Sequence, residues 1–349
     1  MWYGRYREDV IQDGKTVRVR RNRPLGTKKD YPTKRLAERL IEQALSRIND
    51  PGYRPGRVST VAEFADRWKV EILSKQKPSS QKAAVAHLRN HILPHLGKLR
   101  LDSLGTENQQ VFITRIADGL STKYVRNVLI TLSAMMSTAK KWGYTCEAVD
   151  FDNLALPERG LHGEARTFTA DQVKQIIAAA EMPFKLMFAL AAYCALRAGE
   201  IMGLRVEDID LEKKTLRVTQ TAWRGQIQSA KTAGSETSLP IPDSLRELLR
   251  ANLPTSGLLF INRYGRPFTA ERVVKKQLHP ILDRLGIPRA GFHAFRHMHT
   301  TLLLESGASP KVAQRQLRHA DARTTLGVYA HVVEDSHREA VEKMAEYLN

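Results

Sequence analysis

Apolar residues recur at helical spacing along most of the 349-residue chain and alternate with polar residues in only two stretches. The first stretch lies at the start, where "MWYGRYRED" and "KTVRVRRNRPLG" alternate aromatic or β-branched residues with arginines. The sequence "IQDGK" separates them, and Asp-Gly is typical of tight hairpin turns. Residues 33–48 then place four leucines and isoleucines at helical spacing. This segment is therefore predicted to form a small sheet followed by one helix.

The remaining pattern is mainly helical. Two Pro and two Gly in "NDPGYRPGR", residues 49–57, indicate a linker. From residue 59 to about 142 the periodicity predicts four or five helices, several of them beginning at Ser or Thr caps. A second linker is indicated at 152–166, and helices continue beyond it to the C-terminus. One β interruption at 214–241 is predicted to contain three short strands, "KTLRVTQTAW", "GQIQSAK" and "TSLPIP".

Together these elements predict a multidomain, mainly α-helical fold with small β-sheets, as expected for a chain of this length. A small β-sheet with one helix is assigned to residues 1–56 and an all-helical domain to 57–151. A linker at 152–167 leads to an α+β domain at 168–349, which ends in an amphipathic helix. That last helix could pack on its own domain or on a neighbouring protomer. Because the chain enters its first predicted strand at Trp2, a further strand ahead of it remains open.

The charge balance indicates the class of binding partner. The chain has 55 Lys and Arg against 37 Asp and Glu, a net charge of +18, which favours a phosphate-bearing partner over an anionic membrane. The longest apolar run, 184–196, is too short to span a bilayer, and no apolar signal-peptide core begins the chain. Only Cys146 and Cys194 occur, which argues against a disulfide framework and for a reducing cytosol.

Clustered histidines raise the question of a metal site. In "GFHAFRHMHTT", His293 and His297 are four residues apart and could share a helical face. Arg296 lies between them, however, and a permanent positive charge is a poor neighbour for a metal ion. The glutamate of a zinc-protease motif is also replaced by Ala294. The histidines at 87, 91 and 95 lack a cysteine or carboxylate to complete a ligand set. We therefore favour an anion site over a metal site.

Five stretches in the last predicted domain carry cationic or proton-carrying side chains. They are "CALRAGEIMGL", "QSAKTAGSETSLPIP", "HAFRH", "LRHADARTT" and "TTLGVYAHV". Their candidate functional residues are Arg197, Glu200, Lys231, His293, Arg296, His319 and Tyr329. Taken singly, each residue is better explained as an ordinary surface or packing residue.

In this order and spacing the stretches resemble the tyrosine recombinase family, the phage-type integrases and their relatives. The resemblance covers nearly all of 168–335. Residues 59–150, especially "HILPHLGKLRLDSL", look like the core-binding domain of that family, and the basic segment 1–50 is similar to arm-site-binding domains. Two departures stand out, because Ala195 replaces a common glycine and Thr237 replaces a common arginine.

The resemblance implies a role for each candidate. Arg197 and Arg296 would bind the DNA phosphate, and Tyr329 would be the nucleophile that forms a 3′-phosphotyrosine ester. Lys231 would be the general acid for the leaving 5′ oxygen. His293 would assist proton transfer on the nucleophile side, His319 would donate to a phosphate oxygen, and Glu200 would orient Arg197 or Lys231. The implied enzyme is a site-specific recombinase that integrates or excises a mobile element and needs no metal, ATP or other cofactor.

Elementary chemistry agrees with these roles. Attack on a phosphodiester monoanion builds negative charge on the non-bridging oxygens, which guanidinium groups can hold bidentately. A tyrosine hydroxyl has an ordinary pKa of about 10, so it needs a cationic field and a base in order to act as a nucleophile.

The expected partners follow from the same resemblance. They are double-stranded DNA attachment sites of core and arm type, a homotetramer on DNA formed from a monomer in solution, a host DNA-bending protein and a directionality factor. The expected location is the cytoplasm, at the nucleoid of a bacterial or phage-infected cell. Two alternatives stay open, a type IB topoisomerase and a non-catalytic DNA-binding protein. The DNA-binding candidates of the N-terminal module are Arg5, Arg18, Arg20, Arg21, Arg23, Lys28 and Lys29.

Overall fold

The computed structural model describes residues 1–318 apart from 13, 54, 158–165 and 230–237. The chain forms two compact units, Met1–His162 and Gly163–Asn349. Within the described part of the chain, no helix is long and apolar enough to cross a membrane.

The first unit begins with the predicted hairpin. Strands β1 (Trp2–Gln12) and β2 (Lys15–Gly26) pair antiparallel, and Gly14 has a φ of 76°, the left-handed conformation that tight hairpin turns require. Helix α1 (Lys34–Ile48) packs against one face of this sheet. A Cβ at Gly4 would lie 2.7 Å from the Ile41 side chain, so the strand approaches the helix closely. The predicted hairpin and helix are confirmed.

The predicted helices between 59 and 142 are also confirmed. They are α2 (Val61–Glu71), α3 (Pro78–His87), α4 (Leu93–Leu96), α5 (Thr106–Ala117) and α6 (Thr122–Lys141). A π-helical turn at Leu88–Ile92 joins α3 to α4, and 3₁₀ turns lie at Leu73–Lys75 and Leu101–Ser103. Phe64, Trp68 and Phe112 are among the largest side chains of the core that these helices share.

Residues 56 and 57, which end the predicted first linker, and Val58 after them bond to both the hairpin and the segment after α6. The backbone N–H of Ile11 donates to the Gly56 carbonyl at 3.0 Å, and that of Val58 donates to the Ile11 carbonyl at 3.0 Å. The N–H of Arg57 donates to the Gly143 carbonyl, which follows α6, at 3.2 Å. The predicted boundary between residues 56 and 57 therefore falls inside one compact unit.

The second unit is mainly helical. Its helices are α7 (Ala170–Ala179), α8 (Phe184–Cys194), α9 (Ala198–Gly203), α10 (Asp243–Arg250), α11 (Ala270–Val273), α12 (His279–Arg284), α13 (Phe292–Glu305) and α14 (Pro310–Leu317). A π-helical turn at Val274–Leu278 joins α11 to α12. The apolar helix α8 lies in the core, where Phe188 stacks on Phe295 of α13 with ring centroids 5.7 Å apart.

The β interruption differs in detail from the prediction of three strands. Strands β3 (Ile209–Asp210), β4 (Thr215–Leu216) and β7 (Leu239–Pro240) form one small sheet, and β5 (Gln220–Trp223) and β6 (Gln226–Ser229) form a separate hairpin. The stretch predicted as a single strand, "KTLRVTQTAW", is divided between the two sheets. A Cβ at Gly203 would lie 2.8 Å from the backbone of Thr221, so α9 and β5 are in close contact.

Candidate active site and DNA-binding residues

Arg197 begins α9 directly after the turn that ends α8. Ala195 has a φ of 50°, a left-handed conformation that explains why a glycine would suit this position. Glu200, in the first turn of α9, accepts hydrogen bonds from the Arg197 backbone N–H at 2.7 Å and from its Nη1 at 2.8 Å. Carboxylates are favoured at this position of a helix. Glu200 therefore bonds to both the backbone and the guanidinium of Arg197.

Arg296, on α13, is buried with only 6% of its surface exposed. Its Nη1 donates to the carbonyl of Ala195, after the end of α8, and its Nη2 donates to the carbonyl of Leu317, at the end of α14. Carbonyls at helix C-termini lack partners within the helix and attract cations. Burial and then the positive charge of Arg197 lower the pKa of Arg296, but a guanidinium remains protonated at neutral pH.

The two arginines meet at the end of α14. Nη2 of Arg197 lies 3.5 Å from the Leu317 carbonyl, which also accepts from Arg296, and 3.3 Å from the Arg318 carbonyl. The Arg197 side chain remains 39% exposed, whereas Arg296 is enclosed. The structure thus brings together two of the predicted phosphate-binding residues and leaves one of them open to solvent.

His293 lies one turn before Arg296 on α13 and is exposed. Partial desolvation of the ring, followed by the charges of His297, Arg296 and Arg197, lowers the pKa of His293 below its usual 6.5. The ring is therefore neutral at pH 7 and has a free nitrogen that can accept a proton.

Arg318 is a member of this cluster that the sequence reasoning missed. Its side chain is 3% exposed, and its Nη2 lies 2.5 Å from Oε2 of Glu200. The available signal was its position between the end of α14 and His319 in "LRHADARTT". Three arginines and one glutamate then form the described cluster, with a net charge of +2.

Three predicted catalytic residues, Lys231, His319 and Tyr329, lie outside the described residues. His319 directly follows Arg318, whose carbonyl accepts a hydrogen bond from Arg197. Their roles stay predictions that rest on the family resemblance.

Three other histidines of the described residues, His87, His91 and His299, pack inside their own units. Nδ1 of His299 donates to the Ala192 carbonyl at 2.8 Å and so links α13 to α8. In the first unit, His87 pairs with Thr131 at 2.8 Å, and His87 and His91 both pack edge-on against Tyr124. Among the described residues, no group of three or more His, Cys, Asp or Glu side chains is placed to hold a metal ion.

The first unit carries a cationic face on its hairpin. Arg5, Arg18 and Arg20 are exposed, and the strand register places them on one face because paired residues point to the same side. Arg7, which pairs with Arg20, extends this face and was not among the sequence candidates. Lys28 and Lys29 are also exposed beyond β2, whereas the side chain of Arg23 lies outside the described residues.

Arg21 is held inside the unit. Its Nε donates to Glu8 at 2.7 Å and its Nη1 donates to Asp102 at 2.6 Å, and its side chain is 20% exposed. Arg100 also donates to Asp102, at 3.0 Å. Arg21 therefore bonds the hairpin to the turn before α5 and differs from its exposed neighbours.

The family model for the phage integrase family matches residues 166–335, the part of the chain that contains the arginine cluster. This segment belongs to the tyrosine recombinase family. A tyrosine recombinase XerC-like protein of Caldanaerobacter subterraneus subsp. tengcongensis is 27% identical, and 89% of each chain is covered. The integrase of Staphylococcus phage L54a is 25% identical over 70% of this recombinase and 80% of its own length. This chain is a site-specific DNA recombinase, an enzyme that breaks and rejoins DNA strands.

Solved structures agree on the fold of this recombinase. The Tn1549 transposon integrase in complex with transposon right end DNA has a TM-score of 0.69 at 20% identity and covers 82% of this chain and 100% of its own. Lambda integrase residues 75–356, as a dimer bound to a COC′ core site, has a TM-score of 0.60 at 18% identity, with 77% and 95% covered.

Proposed function

We propose that this recombinase cleaves DNA through a covalent 3′-phosphotyrosine intermediate, with Arg197 and Arg296 binding the scissile phosphate. The observation that carries the proposal is the convergence of both guanidiniums on the Leu317 carbonyl, with Arg197 open to solvent. Two adjacent cations repel each other, and an anion between or beside them relieves that repulsion. A phosphate with several acceptor oxygens has the charge and geometry that such a pair favours.

The energetic contribution of this pair is large enough to matter. A fixed donor directed at charge that develops in a transition state contributes about 2.7–4 kcal/mol. Two arginines that the fold already orients would lower the barrier without reorganisation during the reaction. Glu200 contributes by fixing Arg197, since it accepts from both the backbone and the side chain of that residue.

The remaining roles rest on the family resemblance. Tyr329 attacks phosphorus with its phenolic oxygen, and the bond from phosphorus to the 5′ oxygen breaks. Lys231 gives a proton to that leaving oxygen, His293 in its neutral form assists removal of the phenolic proton, and His319 donates to a non-bridging oxygen. Attack by another 5′ hydroxyl reverses the sequence and rejoins the strands.

The exposed arginines of the hairpin support a second DNA contact. Arg5, Arg7, Arg18 and Arg20 share one face, and arginines arranged in this way can contact phosphates and bases in a groove. We propose that this face binds arm-type DNA while the helices α2–α6 and the second unit bind the core site. The reaction would integrate or excise a mobile element. A homotetramer on DNA would carry it out in the bacterial cytoplasm, assisted by a DNA-bending protein and a directionality factor.

A nicked duplex that carries the attachment site tests the proposal, because the nick lets the short leaving strand diffuse away and traps the intermediate. After denaturation, wild-type protein should remain attached to the 3′ end of the cleaved strand. The Tyr329→Phe variant should bind the duplex and form no adduct. Tight binding without any adduct in the wild-type protein would instead support a non-catalytic DNA-binding protein.

A further inference from the structure

Arg318 directly follows α14 and has a buried guanidinium group. Its side chain is 3% exposed, and its main partner is Glu200, whose side chain is 5% exposed. Buried charges of this kind are rarely found without a partner, and removing one of two partners leaves the other uncompensated. Nη1 of Arg318 lies 3.5 Å from the Gln316 carbonyl.

The backbone conformation of Arg318 is also unfavourable for a residue with a side chain. Its φ of 51° lies in the left-handed region, where a side chain with a Cβ costs about 1–2 kcal/mol and glycine fits best. An arginine at this position is therefore strained relative to glycine, and only contacts of its side chain can offset that strain.

The contacts of Glu200 indicate what that contribution is. One carboxylate serves two guanidiniums, with Oε1 accepting from Arg197 and Oε2 accepting from Arg318 and from the Arg197 backbone. If Arg318 were uncharged, Glu200 would cancel one of the two remaining arginines and leave a net charge of +1. With Arg318 charged, the cluster has three arginines against one glutamate and a net charge of +2.

We infer that Arg318 is a positioning residue that neutralises Glu200 from its buried side. Glu200 can then hold Arg197 by two hydrogen bonds while the charge of Arg197 remains available to the DNA phosphate. The inference rests on the proposed function, because it assigns Arg197 to that phosphate.

Two further observations support this division of roles. The Arg318 carbonyl accepts from Nη2 of Arg197 at 3.3 Å, so Arg318 holds Arg197 both directly and through Glu200. Burial raises the pKa of Glu200. The charge of Arg318, together with the hydrogen bonds and charge of Arg197, lowers that pKa by more, so it lies below its usual value. Glu200 is therefore ionised at neutral pH and needs neutralisation.

The test compares single-turnover cleavage of the nicked attachment-site duplex by full-length variants, with binding of the same duplex and thermal unfolding measured alongside. Arg318→Met removes the charge and keeps much of the length. We expect it to bind the duplex normally and to cleave roughly 10- to 100-fold more slowly, as the loss of one nearby unit charge predicts. Arg318→Lys keeps the charge and should recover most of the rate.

The decisive variant combines Arg318→Met with Glu200→Gln. It restores the net charge of +2, so it should cleave at least several-fold faster than Arg318→Met alone. Neutralising the uncompensated carboxylate would also restore stability, so the two rates are compared at a temperature at which both variants are fully folded, where a purely structural role predicts equal rates. A double variant no faster than the single one would overturn the inference.

Two controls keep the result interpretable. Arg318→Gly removes the charge and relieves the left-handed strain, so it should fold even if the methionine variant does not, and cleavage at the wild-type rate would overturn the inference. Arg315→Met removes an exposed arginine of the same helix and should cleave like the wild type. Absence of a covalent adduct in the wild type would overturn both this inference and the proposed function, whereas an adduct with full-rate cleavage by Arg318→Gly would overturn this inference alone.

Discussion

Lysine substitutions should separate the catalytic and structural contributions of the two convergent arginines. Lysine keeps the positive charge but not the planar fork of donors. At Arg197, whose side chain is 39% exposed, Arg197→Lys would lose the paired contacts to Glu200 and the end of α14. We expect cleavage to slow by about 10²–10³-fold, the usual loss for one transition-state donor. The unfolding temperature should fall by no more than about 2 °C.

Arg296→Lys should reduce both rate and stability. Arg296 donates to the Ala195 and Leu317 carbonyls from a buried position, and a lysine ammonium reaches one of them at most. A hydrogen bond from a charged donor contributes about 1.5–3 kcal/mol, so the variant should lose approximately that amount. For a unit of 150–250 residues this corresponds to a decrease of roughly 3–12 °C in the unfolding temperature.

Thermal unfolding, monitored by circular dichroism, would measure the loss of stability. Single-turnover cleavage of the nicked duplex would measure the loss of rate. Arg289→Lys is the matched control, because Arg289 forms an exposed ion pair with Asp283 at 2.8 Å, and neither quantity should change. If Arg197→Lys and Arg296→Lys unfolded at the same temperature, the anchoring role of Arg296 would be wrong. Cleavage by Arg197→Lys at the wild-type rate would refute the phosphate-binding role.

Three further outcomes are expected. Arg21→Met should destabilise the protein by about 1–3 kcal/mol in urea unfolding, because it removes a donor from two buried or part-buried carboxylates, and a loss equal to that of Arg20→Met would contradict this. The pKa of Glu200 is lowered from 4.5, so its stabilising effect is complete above that pH and is lost as the pH falls; Glu200→Gln should therefore lose less stability than the wild type on acidification. Because the pKa of His293 lies below 6.5, a cleavage pH profile should show an acid limb below that value that is absent in His293→Gln, and a limb centred above pH 7 would count against the assignment.

Much of the first unit could be predicted from its pattern alone. The Asp-Gly turn and the alternation of β1 and β2 were visible because a hairpin is a local structure with a local signal. The bond from Arg21 to Asp102 was not visible, since the two residues are 81 positions apart and every arginine of the hairpin looks alike in sequence. Which arginine faces inward depends on what packs beneath the sheet.

The candidate site shows the same division. Arg197 and Glu200 are three residues apart on one short helix, so their bond follows from helical spacing. The contact of Arg296 with Ala195 spans 101 residues, and the pairing of Arg318 with Glu200 spans 118. Neither has a local signal, and only the family resemblance linked Arg296 to Arg197 in advance. The division of "KTLRVTQTAW" between two sheets was missed because strand periodicity does not report where a chain changes partners.

The shared use of the Leu317 carbonyl has a consequence for protein synthesis. Both arginines that gather there are made earlier than their acceptor, by 120 residues for Arg197 and by 21 for Arg296. A nascent or truncated chain that ends before α14 lacks the atom on which the two guanidiniums converge. Domains fold during translation in N-terminal to C-terminal order, so a chain can fold the N-terminal unit before its arginine pair is fixed. The arginine pair is therefore fixed late in synthesis, and chains that end before α14 lack the acceptor that fixes it.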